Sequence, residues 1–175
     1  YNLLFCVGFL LLLPRFLLRM RRRGGYARDF GHRFGRYAPA LHAQLAEGGR
    51  VWVHAVSVGE LFVGLALMQE WRRRRPNVRF VLSTTTSTAY ALAVRELKAP
   101  DVLVYFPVDT PPILRRVLGL IRPSALVLME TELWPNLIRL AAARGVPVFL
   151  ANGRLSERSA RRYGWLSAFT RRLLP

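Results

Sequence analysis

Cysteine, histidine and acidic side chains are scarce in this chain, and each shortage narrows what it can do. The single cysteine, Cys6, excludes a disulfide framework and any cysteine-ligated zinc site. The three histidines, His32, His42 and His54, fall at no metal-ligand spacing, so neither a metal nor another cofactor is expected. Phosphate-cradling signatures are missing as well. There is no G-x-G-x-x-G, which argues against a nicotinamide or flavin dinucleotide, and no G-x-x-x-x-G-K-[ST], which argues against a P-loop NTPase. The absence of a G-x-S-x-G elbow argues against an α/β-hydrolase. No internal repeat occurs beyond a β-α unit, and no low-complexity tract. The apolar run Leu3–Leu13 is shorter than the roughly 20 residues that span a bilayer.

What the chain has in excess is positive charge. Its 175 residues carry 27 Lys and Arg against 10 Asp and Glu, a formal charge of +17. Nearly all of the basic residues are Arg, which suits bidentate phosphate contacts. The excess implies an anionic partner: nucleic acid, anionic lipid or a phosphorylated substrate. Genomic base composition is an equal explanation for the scattered surface positions.

At the N-terminus the apolar run is interrupted by Pro14 and Arg15, resumes at Phe16-Leu17-Leu18, and is closed by Arg19, Arg21, Arg22 and Arg23. A cleaved signal peptide carries its positive charge before the apolar run, not after it. Residues 1–23 therefore read as an uncleaved membrane-anchor helix, spanning once or seated in one leaflet, with the rest of the chain in the cytoplasm. Residues 24–50 read as a basic connector. In it Arg28, Arg33 and Arg36 alternate with Tyr26, Phe30, Phe34 and Tyr37, as in a segment lying on the membrane surface or a helix packed on the domain.

From residue 51 to 175 strand and helix patterns alternate, and the length suffices for one α/β domain with a core. Strands are expected at Val51–Val53 and near Val78–Ser83, Val102–Phe106, Ala125–Met129 and Val146–Leu150. One helix is expected through Leu61, Leu65, Met68 and Trp71. Others are expected near 89–97, 111–121, 135–143 and 156–174. The fold class is α/β, a Rossmann-like parallel sheet with flanking helices. Each strand runs into a polar cluster: Ser57 and Glu60; Thr84-Thr85-Thr86-Ser87-Thr88; Asp109-Thr110; Glu130-Thr131-Glu132; Asn152, Arg154, Ser156 and Arg158. In an open α/β sheet these ends share the ligand edge. Carboxylates, hydroxyls and Arg on one rim suit a sugar or phosphate ligand. Any one cluster also reads as a turn or cap, and Asp109 before Pro111 reads as a cap.

Val51–Glu60, VWVHAVSVGE, is the stretch around which the rest is arranged. Glu60 falls on the first turn of a helix at a strand's carboxyl end, where N–H groups favour an anion and an ionised carboxylate can take a proton from a hydroxyl. Ser57-Val58-Gly59-Glu60 equally fits a capping box, in which Glu60 only reaches back to the N-cap N–H. Both readings stay open on these residues.

Three motifs in order, His54–Glu60 (HAVSVGE), Met129–Leu137 (METELWPNL) and Asn152–Ser159 (NGRLSERS), closely resemble the N-terminal half of the bacterial 3-deoxy-D-manno-octulosonic acid (Kdo) transferases. The resemblance runs over essentially the whole chain, and METELWPN is its specific part. It departs at Asn152-Gly153-Arg154, where the family usually has N-A-R, and in the threonine loop, where the family usually has a proline and a glycine. It implies the N-terminal domain of a two-domain GT-B glycosyltransferase, anchored at the cytoplasmic face of the bacterial inner membrane. Such enzymes move Kdo from CMP-Kdo, with inversion, to a hydroxyl of the phosphorylated lipid A precursor in lipopolysaccharide biosynthesis. The resemblance further implies Glu60 as general base and Glu130 as transition-state stabiliser. Ser57, Thr84, Thr85, Thr86, Glu132, Asn152, Arg154 and Arg158 are the expected substrate contacts. The donor-binding half lies outside these residues, so the chain alone is expected to be inactive. A different class, a non-catalytic membrane-surface module for anionic lipid, fits the charge and the apolar N-terminus. Nucleic-acid binding rests on charge alone, with no recognition motif, and is not expected.

Overall fold

The computed structural model describes residues 29–130 and 133–153, with Gly8, Leu11 and Pro14 as isolated positions before them. Among the described residues, five strands form one parallel sheet: β1 (Val51–Ala55), β2 (Phe80–Thr84), β3 (Val102–Tyr105), β4 (Ala125–Met129) and β5 (Val148–Ala151). Their order is β3-β2-β1-β4-β5. β1, β2 and β4 are buried at every position. This is why they read as mainly apolar runs, broken only by His54 in β1 and by Ser83 and Thr84 in β2, as strands covered on both faces do.

The helices are α1 (Pro39–Ala46), α2 (Val58–Arg74), α3 (Ser87–Glu96), α4 (Pro111–Ile121) and α5 (Pro135–Ala142), with a short 3₁₀ helix, η1, at Phe30–Phe34. Alternate strand residues face opposite layers. Trp52, Val81, Val104, Leu126 and Leu128 pack with Leu45 of α1, Leu114 and Leu118 of α4 and Leu137 of α5. Val53, Ala55, Leu82, Val127 and Met129 pack with Leu61 and Met68 of α2 and with Ala89 and Ala93 of α3. Each fully buried Leu, Val or Ile contributes about 1.5–3 kcal/mol relative to exposure. β5 is one of the two edge strands among the described residues, and its Phe149 and Leu150 remain exposed.

Element ends differ from the sequence expectation for definable reasons. β1 continues through His54 to Ala55 because the imidazole is buried in the core. β2 begins at Phe80, since the Val78 N–H closes the turn after α2 on the Arg75 carbonyl at 3.1 Å. β5 begins at Val148, since the Val146 N–H is held by the Ala141 carbonyl at 3.1 Å and Pro147 has no N–H to give.

Of the two readings of the basic segment, its described part shows packing on the domain. Tyr37 and Leu41 lie against the core, His32 and Arg33 are buried, and the Val108 N–H bonds the Arg33 carbonyl at 2.8 Å. Gly35 ends η1 in the left-handed region, φ 67°, and a Cβ there would stand 2.9 Å from Val117 Cγ2, so glycine is required twice over. No helix among the described residues is long and apolar enough to cross a membrane. The expected anchor, residues 1–23, lies outside them apart from the three isolated positions.

Candidate functional site

The chain leaves β1 toward β2 and β3 on one side, then returns to lay β4 on the other. The carboxyl ends of β1 and β4 thus flank the point where strand order reverses, the place where open α/β sheets bind ligands. β1 delivers the Ser57–Glu60 turn to this point, and β4 delivers Glu130.

At the β1 side the capping box is complete. Ser57 Oγ accepts the Glu60 N–H at 3.4 Å, and Glu60 Oε1 accepts the Ser57 N–H at 3.2 Å. Glu60 Oε2 accepts a further N–H, that of Val56, at 2.8 Å. The buried carboxylate is thereby held by two backbone donors at the head of α2. Capping does not exhaust it, because each oxygen retains a second lone pair.

β2 supplies the threonines. Thr86 caps α3, its Oγ1 accepting the Ala89 N–H at 3.3 Å, and its own N–H bonds the Val56 carbonyl at 3.4 Å. Thr84 is fully buried, and the Oγ1 atoms of Thr84 and Thr85 are shielded without a hydrogen-bond partner. Arg33 arrives from η1. Its Nη2 donates to the Thr85 carbonyl at 2.6 Å and its guanidinium lies 4.6 Å from the Tyr105 ring centre. Sequence reasoning did not place Arg33 on this rim. The alternation of aromatic and basic residues around it gave only an amphipathic signal.

At the β4 side Glu130 is half-buried with φ 56°, an uncommon backbone for a residue with a side chain, and its N–H bonds the Ala151 carbonyl at 2.8 Å. Asn152 beyond β5 is exposed and also left-handed at φ 56°. Asp109 is a cap, but for α5 rather than for α4, which follows it. Its Oδ2 and Oδ1 accept the Asn136 and Leu137 N–H groups at 3.2 and 2.9 Å, and Asn136 Nδ2 returns a bond to the Asp109 carbonyl at 2.7 Å. The carboxylate reaches across because the α5 head lies beside the loop after β3. Asn136 of the METELWPN stretch therefore fastens two loops together. Glu132, Arg154 and Arg158 lie outside the described residues.

Beneath this rim three rings meet. His54 stacks on Phe106 with centroids 3.9 Å apart, and Trp134 tilts against Phe106 at 4.7 Å and stands edge-on to His54 at 6.1 Å. His54 Nδ1 is 3.0 Å from Ser83 Oγ and 3.2 Å from the Ser83 carbonyl, while Nε2 has no partner. Burial pushes the imidazole down to about 3, against a smaller opposing effect of the Ser83 bond, so it is neutral at physiological pH. The sequence offered no sign of this cluster, since the expected first strand stopped at Val53, one residue short of His54. Among the described residues, no group of three or more His, Cys, Asp or Glu could hold a metal ion.

Comparison with known proteins fits this arrangement. A family model described as 3-deoxy-D-manno-octulosonic-acid transferase (kdotransferase) matches residues 28–175. The 3-deoxy-D-manno-octulosonic acid transferase of Bordetella pertussis is 38% identical over 162 residues, 89% of this chain and 37% of that protein. The enzyme of the same name from Haemophilus influenzae is 32% identical over 143 residues, 82% of this chain and 33% of that one. That of Chlamydia muridarum is 31% identical over 173 residues, 98% of this chain and 39% of that one. The chain thus spans little more than a third of the length of these relatives.

Proposed function

The chain belongs to the 3-deoxy-D-manno-octulosonic acid transferase family, and from that premise we propose that it is the acceptor-binding domain of an inverting glycosyltransferase. The reaction moves Kdo from CMP-Kdo to a hydroxyl of a lipid A precursor in lipopolysaccharide synthesis. The observation that carries this reading is the Glu60 carboxylate, fixed by two backbone N–H groups at the strand-order reversal.

In the proposed step the acceptor hydroxyl gives its proton to Glu60 as its oxygen bonds to the anomeric carbon of Kdo, while the bond to the CMP phosphate breaks and CMP leaves. Capping then serves catalysis: it aims the carboxylate without using both lone pairs of either oxygen. Glu130, on the opposite side of the reversal point, stabilises the transition state. Ser57, Thr84, Thr85, Thr86, Glu132, Asn152, Arg154 and Arg158 contact the substrates, the Thr84 and Thr85 hydroxyls being shielded but without a protein partner. The donor binds mainly to a second, nucleotide-binding domain. Residues 1–23 anchor the protein at the cytoplasmic face of the inner membrane, an assignment supported by their apolar run and Arg flank.

The test is Glu60→Gln in a transferase containing this domain, read by single-turnover transfer from CMP-Kdo well below the melting temperature. Gln offers one oxygen where Glu60 accepts two N–H groups, so a stability loss of about 1–3 kcal/mol is expected. Beyond that, turnover should fall about 10²–10⁴-fold in the folded protein. Near-normal turnover would leave Glu60 as a cap and nothing more.

A further inference from the structure

Two hydrogen bonds at the carboxyl edge share one peptide group, and that group joins Arg33 to the turn before α2. Arg33 Nη2 donates to the Thr85 carbonyl at 2.6 Å. The N–H across the same peptide bond, that of Thr86, donates to the Val56 carbonyl at 3.4 Å. The next peptide repeats the pattern. Its carbonyl is that of Val56, and its N–H is that of Ser57, which donates to Glu60 Oε1 at 3.2 Å. A line of three hydrogen bonds through two peptide groups thus runs from a guanidinium to a carboxylate. Both peptides point the same way, N–H toward the carboxylate, and both end residues are buried.

Resonance couples the two ends of a peptide group. A cationic donor on the carbonyl oxygen draws density from the nitrogen and makes its N–H a stronger donor. Along such a chain each bond strengthens the next by about 10–30%. The first and last bonds are also charge-assisted. We infer that Arg33 is a positioning residue for Glu60: through the Thr85–Thr86 and Val56–Ser57 peptides it strengthens the Ser57 N–H that aims the carboxylate. Arg33 is itself held in place. Its guanidinium lies over the Tyr105 ring, Tyr90 stacks on that ring at 3.9 Å, and the Tyr90 hydroxyl donates to Asp29 Oδ2 at 3.2 Å, beside η1. The Val108 N–H holds the Arg33 carbonyl. The segment before β1 thereby reaches the proposed base through backbone groups. The inference rests on the role proposed for Glu60.

Arg33→Met removes the charge and the donors, and Arg33→Lys returns both. In the ¹⁵N-labelled 175-residue chain, Arg33→Met should move the Thr86 and Ser57 amide protons upfield, as weaker hydrogen bonds do. The Val56 amide bonds the other Glu60 oxygen from a peptide outside the line, and the Ala89 amide is capped by the Thr86 hydroxyl; both should stay in place. Arg33→Lys should return the first pair toward their original positions. Glu60→Gln neutralises the far end, so it should move the Thr86 proton upfield too, an arm that holds even where Arg33→Met fails to fold. In a transferase containing this domain, Arg33→Met should lower kcat about 3- to 10-fold, a part of what a positioned base supplies, with the acceptor KM unchanged and partial recovery in Arg33→Lys. A Thr86 proton that ignores either substitution overturns the inference. So does a raised KM with unchanged kcat, which would make Arg33 only a brace for the threonine loop. Amides that move as expected beside a fully active Glu60→Gln transferase support the line and overturn the role proposed for Glu60 instead.

Discussion

The two edges of the sheet are built on opposite plans. At the amino edge polar groups meet partners. Arg50 pairs with Glu47 at 3.0 Å, Arg79 bonds the same carboxylate, and Arg72 pairs with Asp101 at 2.6 Å. Asp101 also accepts the Phe80 N–H at 3.0 Å. At the carboxyl edge His54 Nε2, Thr84 Oγ1, Thr85 Oγ1 and Trp134 Nε1 are shielded and lack partners. Buried polar atoms are seldom left so, and four near one edge mark polar capacity held for something other than folding. The difference teaches that charge pairing at one edge holds the strands, while the other leaves polar atoms unpartnered, which the proposed function assigns to a ligand.

Among the substitutions, the largest stability change should come from the amino edge. Asp101→Ala removes the bidentate partner of Arg72 and the acceptor of the Phe80 N–H. It should lower stability by about 2–3 kcal/mol, since Asp101 is buried but Arg72 is partly exposed. Chemical denaturation measures this, and a loss below half a kcal/mol would mean that the pairing there is ornamental.

A second change is expected with pH, and it belongs to the carboxyl edge. His54 is depressed to about 3 in the fold against an ordinary value near 6.5, so between those values the unfolded chain binds the extra proton. Stability is therefore fully present above about pH 6.5 and declines as pH falls toward 3. Melting curves across this window should flatten in His54→Asn; an equal slope in the variant would assign the acid sensitivity to other groups.

The smallest stability effect is expected for Thr84→Val. The hydroxyl has no hydrogen bond to lose, so the melting midpoint should stay or rise slightly, in contrast to Asp101→Ala. Acceptor affinity should nevertheless fall, by about 3- to 10-fold for one lost hydrogen bond. A Thr84→Val protein that is clearly destabilised would erase the distinction between the edges.

Much of the fold was legible because it is local or periodic. Fully buried parallel strands leave continuous apolar runs, and Ser57, Thr86 and Pro135 mark helix starts with the chemistry that caps or tolerates them. Strand ends were misread where a residue of the right type serves a neighbouring turn instead, as Val78 and Val146 do. The polar clusters at the strand ends were legible as a rim, but their division of labour was not. That Asp109 caps α5 from 27 residues away, or that Arg33 reaches a carbonyl 52 residues on, depends on which loops the topology brings together. The same holds for His54: its place in β1 is local, but its meaning comes from Ser83, Phe106 and Trp134.

The most direct test of the two-edge account is a backbone and indole NMR titration of this chain with a phosphorylated lipid A precursor in detergent. The account predicts shifts concentrated at the carboxyl edge, at Val56, Ser57, Thr84, Thr85, Glu130 and the Trp134 indole, with the amino edge silent. The contradictory result would be shifts centred on the open pocket of about 490 Å³ at the amino edge, lined by Gly49, Arg75, Asn77 and Ser124.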